Sequence, residues 1–232
     1  AGFASVTLAS HALQEGDPQR PLRFARYLPE LGWDVTVLAP LNAPYPLRDE
    51  LPSPRDQGYR VVRTPFIQPP RRPARVREWF NKHQFPDAQA PWKLPSLPQA
   101  KRLAGRSDIV LSSSSPITSH LIAMHAAKRS QIPWVADFRD PYLGNPHLEW
   151  EDALRQRHRR VERQILESAD AVTVAAPGME ERFVDAGASI VGSCCGSTPE
   201  FTGAIVDFAG DRQIAPREAP PAGVTLAGPR GV

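Results

Sequence analysis

The sequence predicts an α/β protein built on a doubly wound parallel sheet, and three observations support this fold class. Short apolar runs alternate with segments whose apolar residues recur at helical spacing. A strand, a helix and a second strand fall within about 35 residues near the start, which makes a βαβ unit with a right-handed crossover. A later apolar run, Trp134-Val135-Ala136, leads directly into charged residues. Strands of a parallel sheet deliver such residues to the carboxyl edge, where open α/β sheets bind ligands.

The elements follow in order from these patterns. Apolar residues after residue 21 repeat at helical spacing up to Gly32, a plausible helix C-cap, and Pro40 ends the strand that follows. Between residues 65 and 98 the periodic pattern disappears, so we expect an irregular segment. A turn at 177–179 is expected to open another helix after the last strand. Strands are predicted at 5–9, 34–39, 59–64, 108–112, 134–136 and 171–175, and helices at 22–31, 100–106, 117–130 and 151–168.

Composition restricts the classes of protein to which the chain can belong. The 232 residues are 41% hydrophobic with a net charge of +3, which predicts a globular domain and does not indicate a nucleic-acid binder. No apolar run reaches the roughly 18 residues that span a bilayer, and no secretory signal is visible. The only cysteines, Cys194 and Cys195, are adjacent, which predicts reduced thiols and a cytoplasmic protein. Because the chain begins at Ala1 rather than Met, it is expected to be a fragment.

Three charged residues directly follow the apolar run at 134–136. Asp137, Arg139 and Asp140 are therefore placed at the carboxyl edge of the sheet, with Pro141 ending the strand. Their types suit recognition of a polar ligand at that edge. The alternative is structural: Asp137 and Arg139 pair with each other or cap the next helix.

A serine-rich turn follows the strand at 108–112. Ser113, Ser114 and Ser115 precede a predicted helix, so hydroxyls and main-chain N–H groups are available for a phosphate or a sugar. Since both residues lie at strand ends in a pattern of alternating strands and helices, we expect Ser113 and Asp137 at the same edge. His120 lies in the first turn of the helix, where it either faces the cleft or is an ordinary polar surface residue.

The irregular segment combines basic and aromatic side chains. One interpretation is a surface that contacts an anionic membrane or a phosphate-bearing substrate; the other is a solvated basic loop. RNA binding is a third possibility, but no recognised nucleic-acid motif supports it. The residues concerned are Arg71, Arg72, Arg75, Val76, Arg77, Trp79, Phe80, Lys82 and Phe85.

Four segments together resemble the N-terminal, acceptor-side domain of family 4 retaining glycosyltransferases with the GT-B fold. They are residues 19–33, 119–123, 134–141 and 169–174, and the resemblance covers about residues 5–181. It implies one of two Rossmann-like domains that face each other across a cleft, this one binding a glycan or lipid-linked acceptor and the other a nucleotide sugar. It also implies that no metal or other cofactor is required.

Two departures from the family affect the choice of site residues. The loop after the first strand offers only Gly16 where many members have a glycine pair, and Arg139 stands where many have a histidine. Asp137, Arg139 and Asp140 remain the candidates for acceptor binding and for electrostatic stabilisation at the reacting centre. The residues expected to bind substrate are Gly16, Arg20, Ser113, Ser114, Ser115 and His120.

A second resemblance concerns the residues around 184–206. The pair Cys194-Cys195 is similar to the zinc-binding motif of homocysteine S-methyltransferases. That family uses three thiolates on a barrel of about 250 residues, and this chain has no third cysteine. We therefore expect no functional zinc site, Cys194 and Cys195 being only weak candidates as metal ligands.

These observations predict three regions and one favoured function. Residues 1–181 form the Rossmann-like GT-B half-domain, 182–210 the methyltransferase-like segment and 211–232 a Pro-rich, disordered tail. The favoured function is the acceptor-binding half of a retaining, nucleotide-sugar-dependent glycosyltransferase, inactive as an isolated chain and cytoplasmic or peripheral at the inner membrane face. The alternatives are a non-catalytic Rossmann-like binding module and a homocysteine S-methyltransferase fragment.

Overall fold

A six-stranded parallel sheet forms the centre of the molecule. The computed structural model describes residues 4–9, 19–41, 58–68, 73–139, 142–143 and 150–174. The strand order is β3-β2-β1-β4-β5-β6, and every neighbouring pair is parallel. The doubly wound parallel sheet is therefore confirmed. The strands are β1 (Ala4–Ala9), β2 (Trp33–Pro40), β3 (Tyr59–Thr64), β4 (Ile109–Ser114), β5 (Trp134–Phe138) and β6 (Ala171–Val174).

Within the described residues, five α-helices connect and cover these strands. Gly32 ends the first helical region with a left-handed conformation, φ 84°, and donates its N–H to the Pro29 carbonyl, as predicted for a C-cap. The helices are α1 (Gln19–Tyr27), α2 (Ala74–Lys82), α3 (Ala90–Ala104), α4 (Thr118–Ser130) and α5 (Asp152–Ser168), with a 3-10 turn at Pro29–Leu31.

Both faces of the sheet are buried, which explains the continuous apolar runs of its strands. On one face α1 packs on alternate residues of the sheet such as Val35, Val37 and Val135. On the other face α3, α4 and α5 enclose a larger cluster that includes Trp92, Trp134 and Phe138. The sheet thereby fixes the positions of the strand ends at its carboxyl edge.

The expectation of an irregular segment between residues 65 and 98 is wrong. Helix α2 and most of α3 lie there, and α3 runs through Pro95 and Pro98. Since prolines usually end a helix, Pro95 and Pro98 made this segment look irregular in the sequence although it is helical. The buried residues of α3 recur every four positions along one stripe: Trp92, Ser96, Ala100 and Ala104.

The register between β4 and β5 confirms one prediction directly. Ser113 lies opposite Asp137, at the same carboxyl edge. The order of strands reverses between β1 and β4, so these residues lie beside the topological switch point, where open α/β sheets bind ligands.

Several predicted features lie outside the described residues. They are Gly16, Arg71, Arg72, Asp140, Cys194, Cys195, the helix after residue 177, and the regions 182–210 and 211–232. The three region boundaries remain predictions. Within the part of the chain that the structure describes, no helix combines the length and apolar character needed to cross a membrane.

Candidate functional site

Asp137 is the centre of a polar cluster at the carboxyl edge. Its carboxylate is fully buried, and its two oxygens accept hydrogen bonds from the Ser113 hydroxyl (2.8 Å) and the Thr173 hydroxyl (2.6 Å). These residues come from β4, β5 and β6, so one carboxylate joins three neighbouring strand ends. A buried carboxyl group needs hydrogen-bond partners of this kind. The two hydroxyl contacts are present, and the alternative of an Asp137–Arg139 pair stays a prediction.

His120 is enclosed in the core beneath this edge. Its Nδ1 lies 2.7 Å from the Ser112 hydroxyl, which also accepts a hydrogen bond from the Trp134 indole (2.8 Å), and its ring lies 4.5 Å from the ring of Phe138. The indole donates to the Ser112 oxygen, and the direction of the hydrogen bond between this hydroxyl and Nδ1 depends on the histidine tautomer. Burial lowers the pKa of His120 to about 3, so the ring is neutral near pH 7. The surface position considered for His120 is therefore wrong.

The other predicted site residues differ in exposure. Ser114 is buried with no partner for its hydroxyl among the described residues, and Ser115 is exposed. Arg139 is half-buried and donates its main-chain N–H to the Ser114 carbonyl at 3.2 Å. The structure thus brings Ser113, Ser114 and Asp137 together with Arg139. Arg20 lies in the first turn of α1.

Sequence reasoning missed Asp87, which occupies the N-terminus of α4. Its carboxylate accepts hydrogen bonds from the N–H of Thr118 (2.9 Å), the hydroxyl of Thr118 (2.7 Å) and the N–H of Gln89 (2.9 Å). Desolvation raises the pKa of Asp87, while these hydrogen bonds and one from Ile117 oppose the rise. No sequence signal pointed to Asp87, because it lies 31 residues before Thr118 in a segment without a predicted element.

An aromatic cluster next to Asp87 was also missed. The Tyr142 hydroxyl is hydrogen-bonded to His158 Nδ1, and Trp150 stacks on the His158 ring with centroids 4.1 Å apart. Phe85 lies against the same ring at 4.9 Å. Burial, Asp87 and Glu162 all raise the pKa of Tyr142, so the phenol stays neutral. Burial and the Arg157 charge lower the pKa of His158. The cluster ties the chain after β5 to α5 and to the segment that carries Asp87.

The arrangement is suited to binding and positioning. It offers hydroxyl groups and buried carboxylates that already accept hydrogen bonds from the protein. No group of three or more metal-ligating side chains occurs among the described residues. A cavity of about 400 Å³ lies elsewhere, at the amino ends of the strands, where Lys128, Gln131 and Asp170 line it. None of the predicted site residues lines that cavity.

The sequence matches the family of glycosyl transferase 4-like domains over residues 18–191, about three quarters of the chain. The chain belongs to this family. The matched region contains the whole polar edge described above. It ends before Cys194 and Cys195, and the resemblance to homocysteine S-methyltransferases is supported neither by this match nor by the structural similarities. No curated protein matches the chain at a significant level.

Solved glycosyltransferase structures share the fold. A sucrose-phosphate synthase from Thermosynechococcus elongatus is 16% identical with a TM-score of 0.54, and the similarity covers 84% of this chain and 49% of that one. Medicago truncatula UGT71G1, complexed with UDP-glucose, is 12% identical with a TM-score of 0.51, covering 79% and 48%. This chain spans about half of the length of these structures. The GT-B half-domain fold predicted from the sequence is confirmed.

Proposed function

We propose that the chain is the acceptor-binding half of a retaining glycosyltransferase that uses a nucleotide-sugar donor. The observation that supports this best is the cluster of Ser113, Asp137 and Thr173 beside the topological switch point. Family membership supports the reaction class, and the retaining course is proposed on the resemblance to family 4 glycosyltransferases. The acceptor is a glycan or a lipid-linked sugar, bound at the carboxyl edge.

The buried and the less buried residues of this edge take different roles in the proposal. Asp137, fully buried and bonded to two hydroxyls, holds the strand ends in place. Arg139 follows it at the edge, half-buried, and with Asp140 contacts the acceptor and stabilises developing charge. Ser114 and Ser115 offer hydroxyls to the acceptor, and His120 supports β4 from behind through Ser112. Gly16 and Arg20 are proposed on the family resemblance alone.

Donor turnover by the isolated chain tests whether this half binds only the acceptor. The chain spans about half of the length of its structural relatives, so we expect negligible sugar release from UDP-glucose or GDP-mannose. Release would be followed by free UDP or GDP, with Asp140→Ala as the comparison. Turnover by the wild-type chain that is lost in Asp140→Ala would show that the donor binds here and would contradict the proposal.

We also propose that α2 rests on an anionic membrane surface. At helical spacing, Val76, Trp79, Phe80 and His83 share one face, and no residue of α2 is buried. Trp79 is 61% exposed and Val76 45% exposed. Basic side chains flank this face: Arg75, Arg77 and Lys82. An apolar face bordered by cations is typical of a helix that lies in the membrane interface. This would place the protein at the inner face of the membrane.

Vesicle co-sedimentation distinguishes a membrane-bound α2 from an α2 that is only exposed to solvent. Each basic residue near an anionic surface contributes about 1 kcal/mol. Replacing Arg75, Arg77 and Lys82 together by Ala is therefore expected to weaken binding to phosphatidylserine-containing vesicles roughly 100-fold. Trp79→Ala should weaken binding to the same vesicles through lost apolar contact. Lys128→Ala with Arg129→Ala, an exposed basic pair at the end of α4, is the matched control. Equal losses in both sets would contradict a role for α2.

A further inference from the structure

The N-terminus of α4 has its main-chain donors occupied by the chain itself. Asp87 accepts the N–H of Thr118, and that of Ile117 as well. The N–H groups of the next two residues bond to carbonyls: Ser119 to Pro116 at 3.2 Å and His120 to Ile117 at 2.9 Å. A helix N-terminus after a serine turn ordinarily attracts phosphate through free N–H groups. At α4 an external anion finds these donors already bonded.

The donors around Asp87 favour its ionised form. Three of the four hydrogen bonds it accepts come from main-chain N–H groups, which cannot accept a proton in return. Both carboxyl oxygens therefore act as acceptors, as in an internal helix cap. A second carboxylate lies near Asp87, since burial and then the charges of Asp87 and Glu162 raise the pKa of Tyr142. A phosphate at this edge would meet carboxylates instead of free donors.

Buried polar groups without a partner surround the same helix end. Within the described residues such atoms are Ser114 Oγ, Ser119 Oγ, His120 Nε2 and Gln89 Oε1. Ser114 is 2% exposed, and Ser119 and His120 are fully buried. All belong to the junction of β4 and α4 or to the segment that carries Asp87. Buried polar groups are normally satisfied, and a neutral partner such as a sugar hydroxyl suits the unpaired Ser114 hydroxyl and the exposed Ser115 at this edge better than a phosphate dianion.

From these observations we infer that Asp87 determines the charge of the ligand at this edge. By occupying the N-terminus of α4 it excludes phosphate and reserves the edge for an uncharged, hydroxyl-bearing group such as a sugar ring of the acceptor. This assignment rests on the proposed glycosyltransferase function and makes its acceptor side more specific. If the acceptor carries a phosphate, that group lies away from α4.

Titration of the 232-residue chain with inorganic phosphate tests the role of Asp87, with the amide NMR signals of Ile117 and Thr118 as the readout. The wild-type chain should show no saturable change. Asp87→Ser frees both N–H groups and should bind phosphate at least roughly tenfold more tightly than wild type, because charge-assisted hydrogen bonds then form. Asp87→Asn, which keeps a capping oxygen without the charge, should lie between the two and serves if the serine variant does not fold. Asp152→Asn, in the first turn of α5, is the matched control and should behave as wild type.

Each outcome supports or overturns the role of Asp87 or the sugar assignment. Saturable phosphate binding at Thr118 in the wild-type chain would overturn the inference, and so would the absence of binding in both Asp87 variants. Methyl glucoside, as a neutral probe, should perturb the amide signals of Ser114 and Ser119, and no perturbation would overturn the sugar assignment. The phosphate results depend on Asp87 alone, whereas the donor-turnover assay with Asp140→Ala tests the glycosyltransferase proposal, so failure of one is distinguishable from failure of the other.

Discussion

The buried His120 should make the stability of the domain fall between pH 7 and pH 5. Burial lowers its pKa from 6.5 to about 3 in the folded chain. Between these pH values the histidine is protonated in the unfolded chain but neutral in the folded chain. The stabilisation is complete above pH 6.5 and is lost as the pH falls from 6.5 toward 3. Each pH unit in that window changes the free energy of unfolding by up to about 1.4 kcal/mol. Between pH 7 and pH 5 the loss from His120 amounts to about 2 kcal/mol.

Urea unfolding measures this loss, followed by the fluorescence of the buried Trp92 and Trp134. The variant His120→Gln cannot titrate in this range, yet its amide oxygen can still accept a hydrogen bond from Ser112. It should be less stable than wild type at pH 7, but its fall in free energy of unfolding between pH 7 and pH 5 should be smaller by about 2 kcal/mol. That difference corresponds to a midpoint shift of roughly 1 M urea.

Two comparisons make the result specific to His120. The pKa of His158 is also lowered, but His158 is present in wild type and variant alike, so its contribution cancels. His125, exposed on the same helix, gives the matched control: His125→Gln should keep the wild-type pH dependence. An unchanged pH dependence in His120→Gln would refute the reasoning, since it would mean that the imidazole is not held neutral by burial.

Three further predictions concern single contacts and are checked by the same unfolding measurement at pH 7. Asp137→Ala leaves the buried Ser113 hydroxyl and the part-buried Thr173 hydroxyl without their acceptor and should destabilise the fold by about 3 kcal/mol, with Asp137→Asn losing less; equal losses would contradict the importance of the hydroxyl contacts. Tyr142→Phe removes the hydrogen bond to His158 and should cost about 1 kcal/mol, whereas no change would show that the aromatic stacking alone holds the cluster. Gly32→Ala forces a side chain into the left-handed conformation at φ 84° and should also cost about 1 kcal/mol, compared with Gly105→Ala at φ −66°, where no such strain arises.

The sheet could be predicted from the sequence because its strands are local signals. Each is a short apolar run, and parallel pairing brings successive carboxyl ends to one edge, so the meeting of Ser113 and Asp137 followed from strand ends alone. Helix α3 could not be predicted in the same way, since Pro95 and Pro98 concealed a buried stripe of mostly small residues. Small residues at every fourth position give a weak hydrophobic period even when they are buried.

The site was harder to predict than the sheet because its contacts join distant parts of the chain. Asp87 caps a helix 31 residues later, and the burial of His120 depends on Ser112 and Trp134, which come from two different strands. Neither contact follows from spacing. The shared edge of Ser113 and Asp137 was predicted correctly, but which side chains would be enclosed by the protein was not, because burial is decided by packing across the sheet.

The burial of these groups bears on what kind of chemistry the edge can support. Asp137 and Asp87 already accept hydrogen bonds from hydroxyl and N–H groups of the chain, and His120 is neutral and enclosed. A general base needs a lone pair within reach of the proton it removes. The hydrogen bonds of these three groups are made to the protein itself, so none of them is placed to act as that base. What remains toward a ligand is the set of hydroxyls around Ser114 and Ser115 with the half-buried Arg139. Under the proposed function, these groups would orient an acceptor and stabilise developing charge, without a side chain that removes a proton.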